Sequence, residues 1–402
     1  MDRILNFLKN IKFSNFFGEI NLTMIGPICF FLSTILLIFV GAEIPRIKDA
    51  KELKLLHVVM RHGIRTPVST YPNDPYINER FDPNGWGQLT NEGIRDLYEF
   101  GGYLRGKYGS FLGDKFNSSE FYSQATGVDR ALASIMAVNA GLWKPNKAQT
   151  WMPNLRWKPI PVLSQPLDED MLLLVRKDCP QYNLELKRVE ESPEIQQKLL
   201  ENQELFKYIQ EKSGQKMENF YDVEDIYTTL LAEQSFGLKL PKWTKGYFPE
   251  KMVDAASMSF VLKAYNDKLQ RLKGGVLLKK LLGDWTGKAA NTLKTKAFVY
   301  GGHDTTISNL LSTLKIFDPQ VPNYGMAVIF ELLFDHETNT YGLEIFVKNS
   351  TARPYQMQLP GCDKFCPLET VIKKTKPVVP VSWHEECFTD DPDYKPPEQG
   401  GP

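Results

Sequence analysis

Residues Leu53 to Met60, reading Leu-Lys-Leu-Leu-His-Val-Val-Met, run straight into Arg61-His62-Gly63-Ile64-Arg65-Thr66-Pro67. The first stretch is rich in β-branched and aliphatic residues and too short for a helix of ordinary length, so it reads as a buried strand. The turn therefore sits at that strand's carboxyl end. In open α/β sheets ligands bind in the crevice outside such ends, which is where Arg61, His62 and Arg65 would project. Arginine forks match phosphate oxygens two at a time and stay charged, while imidazole can act as a nucleophile near neutral pH. Packed into seven positions, these side chains suit phosphoryl transfer.

Two further junctions have the same form. Thr295 to Tyr300 is an apolar run ending in Gly301-Gly302-His303-Asp304-Thr305-Thr306. Ile307, Leu310, Leu311 and Leu314 follow at helical spacing, so Thr305 or Thr306 is expected to cap a helix whose amino end faces the crevice and favours anions. Phe121 to Ser123 reads as a short strand, followed by Ala125-Thr126-Gly127-Val128-Asp129-Arg130 and an apolar helix to Leu142, which brings Arg130 to another strand-to-helix junction. Ser69 to Gly87, rich in Pro, Asn, Asp and Gly, is a long loop at the mouth of the site. Val328 to Phe334 and Tyr341 to Val347 read as a hairpin at the sheet edge.

Arg61-His62-Gly63-x-Arg65-Thr66-Pro67 resembles the signature of the histidine acid phosphatases, a branch of the histidine phosphatase superfamily. Thr126-x-Val128-Asp129-Arg130 is similar to a second segment of that family, with Gly127 where an acidic residue is common, and His303-Asp304 matches its His-Asp pair. The resemblance implies an α/β sandwich, a largely parallel sheet with helices on both faces, interrupted by a helical cap. It implies hydrolysis of small-molecule or protein phosphomonoesters without metal or other cofactor. His62 would form a phosphohistidine, Asp304 would protonate the leaving oxygen, and Arg61, Arg65, Arg130 and His303 would surround the phosphate. Because Asp304 must carry a proton, an acidic optimum is expected. Homodimers are common in the family. The alternatives are an inositol phosphate phosphatase or phosphotransferase of the same superfamily, or a catalytically silent secreted binding glycoprotein.

Forty-eight basic residues balance forty-eight acidic ones across 402, so no global charge argues for nucleic acid as a partner. Residues 1–42 carry an apolar run from Met24 to Ala42 behind Arg3, Lys9 and Lys12. This is either a signal peptide cleaved before Glu43 or an uncleaved anchor. The first places the chain in a secreted or lumenal compartment, lysosomal or extracellular; the second makes it a signal-anchored membrane protein. Beyond Cys29, four cysteines remain, an even set that suggests disulfides. The family resemblance implies Cys179 with Cys387 and Cys362 with Cys366; no matching Cys or His pair at zinc spacing completes a metal knuckle from Cys362 and Cys366. Asn117-Ser-Ser and Asn349-Ser-Thr are candidate glycosylation sites. The expected organisation is a discontinuous core at 53–145 and 256–388, a mostly helical cap at 146–255, and a flexible tail at 389–402. Lys147 to Asp254 holds fifteen Lys and Arg against eighteen Asp and Glu, a weak argument against very highly phosphorylated substrates. His57, His336 and His384 are assigned structural roles.

Overall fold

Alternation along the first strand divides the molecule into layers. A computed structural model describes residues 50–349 and 353–397; the apolar segment at 24–42 lies outside them. In β1 (Lys51–Arg61), Leu56, Val58 and Met60 face one way and Leu55, His57 and Val59 the other. The first set packs on α1 (Asn91–Leu112) and α2 (Asp129–Leu142) through Leu97, Phe100, Leu104, Ile135 and Val138. These two helices approach so closely that a Cβ on Gly101 would fall 2.1 Å from the Val138 carbonyl. The second set packs on Leu278, Leu281 and Trp285. On that face His57 accepts from Trp285 Nε1 at 3.2 Å through Nδ1, so its Nε2 carries the proton and donates to Asp284 at 3.1 Å.

The strand order is β2-β3-β1-β4-β5-β6, with β7 pairing β5. β2 (Phe121–Ala125) and β3 (Ala297–Gly302) run parallel to β1, and this is the half that carries the three junctions. β4 (Ala327–Asp335), β5 (Thr340–Lys348), β6 (Tyr355–Met357) and β7 (Cys366–Pro367) continue the sheet antiparallel. The expected hairpin is present but not at the edge. β4 pairs directly with β1 and is buried along almost its whole length, so it reads as apolar sequence on both faces, broken inside only by Glu331, which accepts from the Tyr108 hydroxyl at 2.6 Å.

Between the sheet strands lies a helical region: α3 (Pro180–Glu190), α4 (Pro193–Glu201), α5 (Gln203–Ser213), α6 (Phe220–Ser235), α7 (Val253–Leu262) and α8 (Asp267–Leu272). Ile195, Phe206, Ile209, Val223, Ile226 and Leu230 share a core of their own, apart from the two sheet faces. The amphipathic pattern of 193–212 is continuous, yet it forms two helices, broken at Asn202, whose Nδ2 donates to the Lys198 carbonyl at 2.9 Å. The chain then returns through α9 (Gly274–Ala289), β3 and α10 (Asp304–Thr313), and ends in α11 (Leu368–Thr375) and α12 (Trp383–Cys387). Cys179, at the start of α3, is bonded to Cys387, and Cys362 to Cys366. Beyond α12, Tyr394 is docked on α3: its hydroxyl donates to Asp178 at 2.9 Å and accepts from Asn183 Nδ2 at 2.6 Å. No helix among the described residues is long and apolar enough to cross a membrane.

The loop at 69–87 is fastened to the helical region by a buried acid pair. Asp74 accepts from Thr70 Oγ1 at 2.5 Å and from the Tyr76 amide at 2.7 Å, and Glu233 of α6 is wholly buried beside it. Burial and Asp74 push the Glu233 carboxyl up to about 8, and Tyr71 is an ionisable neighbour of both acids. Glu233 so placed keeps its proton well above the usual carboxylate range. Because the folded chain holds that proton more tightly than the unfolded one, the contribution is complete below the unfolded value near 4.5 and is lost as pH rises towards 8. We expect unfolding stability to fall by on the order of 3 to 5 kcal/mol over that window, and Glu233→Gln to remove most of the slope. Parallel pH profiles for wild type and variant in urea titrations would refute it.

Candidate active site

The three parallel strands end level with one another: Arg61 is in register with Gly302, Met60 with Gly301, and Gly301 with Ala125. The residues that follow each end converge on one cavity of about 440 Å³, lined by His62, Arg65, Arg130, His303 and Asp304 among others. Arg61 stands behind it, fully buried, with Nη2 at 2.8 Å from Asp304 Oδ2 and Nη1 donating to the Pro322 carbonyl.

His62 is held by its neighbours on both sides. Its backbone amide donates to the Gly302 carbonyl at 3.0 Å and its carbonyl accepts from Gly325 at 2.9 Å. Its Nδ1 lies 2.9 Å from the Gly63 carbonyl. A carbonyl only accepts, so Nδ1 carries the proton and Nε2 keeps a free lone pair. Burial, followed by Arg61, Arg130, His303 and Arg65, drives the imidazole well below its usual range, which leaves it neutral in acid.

Arg65 and Arg130 are both buried, and the Nε of each has no hydrogen-bond partner among the described residues. Such donors are costly to leave unmet, and both arginines line the cavity. Burial and Arg65 push Arg130 down to about 10, so it remains cationic. Arg130 is placed by the start of α2 at Asp129. The departure at Gly127 has a steric cause, since a Cβ there would meet the Gln165 carbonyl at 2.6 Å.

His303, not Thr305 or Thr306, is the N-cap of α10, and Thr306 instead accepts from the His303 amide at 3.0 Å. The His303 ring meets Thr126 Oγ1 at 2.9 Å, and burial with Arg130 lowers it to about 3, so it is neutral. Burial alone would raise the Asp304 carboxyl, but Arg61, His303 and Lys263 outweigh it and hold the group below its ordinary value. Its Oδ1 also accepts from the Thr305 amide at 2.8 Å.

All six residues singled out from the sequence are thus brought together. Tyr324 was missed: its ring lies 4.4 Å from Arg61 and 5.8 Å from the centre of the His62 ring. It sits in a Pro-Asn-Tyr-Gly turn leading into β4, and reading β4 as an edge strand hid that this turn adjoins the end of β1. Thr126, Lys263 and Lys273 were not singled out either; the two lysines lie in helical sequence with nothing to mark them. Among the described residues no His, Cys, Asp or Glu cluster could hold a metal ion. Asn117 is exposed before β2, and Asn349 follows β5, its Oδ1 accepting from Asn323 at 2.9 Å. His57, His336 and His384 line no part of the cavity.

A family profile described as histidine phosphatase superfamily (branch 2) matches residues 52–348. Rat lysosomal acid phosphatase is 34% identical over 344 residues, covering 84% of this chain and 81% of that one. Human prostatic acid phosphatase is 35% identical over 347 residues, covering 85% and 89%. Among solved structures, a Citrobacter braakii phytase superposes with a TM-score of 0.61 at 17% identity, over 84% of this chain and 99% of that one. A Hafnia alvei phytase in complex with myo-inositol hexakis sulphate gives 0.64 at 15%, over 85% and 99%; at such identities the likeness speaks for the fold alone. The chain belongs to branch 2 of the histidine phosphatase superfamily, as a histidine acid phosphatase.

Proposed function

We propose that this enzyme hydrolyses phosphomonoesters by two displacements at phosphorus, with His62 as nucleophile. The observation that carries the reading is the Nδ1 contact of His62 with the Gly63 carbonyl, which fixes the tautomer that leaves Nε2 free. Nε2 forms the bond to phosphorus while the ester oxygen leaves and takes a proton from Asp304. Water then attacks the phosphohistidine, gives its proton to Asp304 and releases inorganic phosphate. Arg61, Arg65, Arg130 and neutral His303 stabilise the equatorial oxygens through both steps, so the chemistry rests on positioning and charge.

The sheet core supplies this chemistry, and the cap at 146–255 with the 69–87 loop chooses the leaving group. The leader at 1–42, two disulfides and the lysosomal and prostatic relatives support a secreted or lumenal enzyme glycosylated at Asn117 and Asn349. The direct test is to mix enzyme with a radiolabelled substrate, quench in alkaline detergent, and map the label. We expect it on His62, stable to alkali and lost in acid; an enzyme that turns over without label at His62 overturns the assignment.

A further inference from the structure

The cavity extends past the phosphate-binding arginines to a wall made by the helical region. Lys263, at the end of α7, and Lys273, between α8 and α9, belong to that wall. Lys263 is also one of the cations that lower the Asp304 carboxyl, which places it within electrostatic reach of that group. Its Nζ is held by Glu224 at 3.1 Å.

Lys273 is the more telling of the two. Its ammonium donates to the Val175 carbonyl at 2.7 Å and lies 4.6 Å from the Tyr182 ring centre, and among the described residues it forms no ion pair. The nearby acid Asp178 is already engaged by Tyr394 and Asn183. Burial and Arg176 push Lys273 down to about 8, so it is still charged in acid. Asp178, Glu224, Asp225 and Asp304 also line the cavity and Asp170 lies within electrostatic reach, but among the described residues none is ion-paired to Lys273. A half-buried ammonium fixed only by a carbonyl and a ring is a preformed place for an anion.

Resting on the proposed hydrolytic reading, we propose that Lys273, flanked by Lys263, forms a second anion subsite that selects phosphomonoesters whose leaving group itself carries a carboxylate or phosphate. The charge is local: the cap as a whole has no basic excess. A substrate bound at both ends has its ester oxygen fixed beside Asp304, so the subsite improves orientation as well as affinity.

Two matched pairs test this at pH 5: phenyl phosphate against 4-carboxyphenyl phosphate, and propyl phosphate against propane-1,3-bisphosphate. We expect the charged member of at least one pair to be favoured in kcat/KM by about tenfold, the worth of one charge-assisted hydrogen bond. Lys273→Met should erase that preference, mainly through KM, and change the uncharged members by less than about twofold. The pair that responds tells whether carboxylate or phosphate is the ligand. As a check independent of any variant's folding, the wild-type preference should shrink with added KCl. Equal losses on charged and uncharged members, or no wild-type preference in either pair, overturn the subsite. Failure of the wild type to hydrolyse all four overturns the hydrolytic reading beneath it.

Discussion

His62→Ala should lower kcat by on the order of 10⁴ to 10⁶, since it removes the covalent route and leaves water to attack an ester it is not positioned for. The phosphate cradle should survive. Arg61, Arg65 and Arg130 are positioned by the ends of β1 and the start of α2 and not by the imidazole, so the inhibition constant for inorganic phosphate should stay within a few-fold of wild type. The folding loss should be small, about 1 kcal/mol for the Nδ1 contact with Gly63. The same environment explains why an imidazole can serve here in acid. Free histidine titrates near 6.5 and would be largely protonated at pH 5, but burial and the surrounding arginines drive His62 well below that. Activity should therefore persist down to pH values where an exposed imidazole would be silent. Residual turnover within tenfold of wild type, with phosphate binding intact, would show that another group attacks.

What could be read from the sequence divides along physical lines. β1, β3 and the junctions after them were legible because a short apolar run followed by Gly-His or Arg-His leaves few alternatives to a strand end. The register that makes three such ends level was not, since it depends on pairings between residues far apart, such as Leu56 with Ala297. For the same reason β4 was placed at the edge: its buried pattern is equally that of an interior strand, and only its pairing with β1 decides. The cap of α10 was misplaced by a few residues because Thr306 reaches back to the His303 amide, which reverses the expected direction of the bond. Arg61, His62 and Arg65 were singled out through their types and spacing, and Arg130, His303 and Asp304 through the family resemblance. Tyr324 and Lys273 were not, because a ring flanking an arginine and an ammonium on a cavity wall acquire meaning only from what the fold sets opposite them.

Asp304→Asn should separate substrates by leaving group. For alkyl phosphates, whose alkoxide cannot depart without a proton, kcat/KM should fall by about 10² to 10⁴; for 4-nitrophenyl phosphate the loss should be much smaller. The free enzyme presents a difficulty that shapes the pH dependence. Asp304 is ion-paired with Arg61 at 2.8 Å and held below its ordinary value, so it is a carboxylate at pH 5 and cannot itself be the standing acid. The proton must arrive with the substrate. Below about pH 6 a phosphomonoester is mostly monoanionic; as its oxygens take up the Arg61, Arg65 and Arg130 charges, its proton passes to Asp304, whose pairing with Arg61 has been weakened. Turnover of poor leaving groups should then rise as pH falls through that range in wild type, and be flat in Asp304→Asn. In the proposed second step Asp304 also receives the proton of the attacking water, so with 4-nitrophenyl phosphate the variant should form phosphohistidine readily and lose it slowly. A burst of nitrophenolate followed by slow release is the expected trace. Equal losses for alkyl and nitrophenyl esters without a burst would remove Asp304 from both proton transfers and leave it only the role of Arg61's counterion.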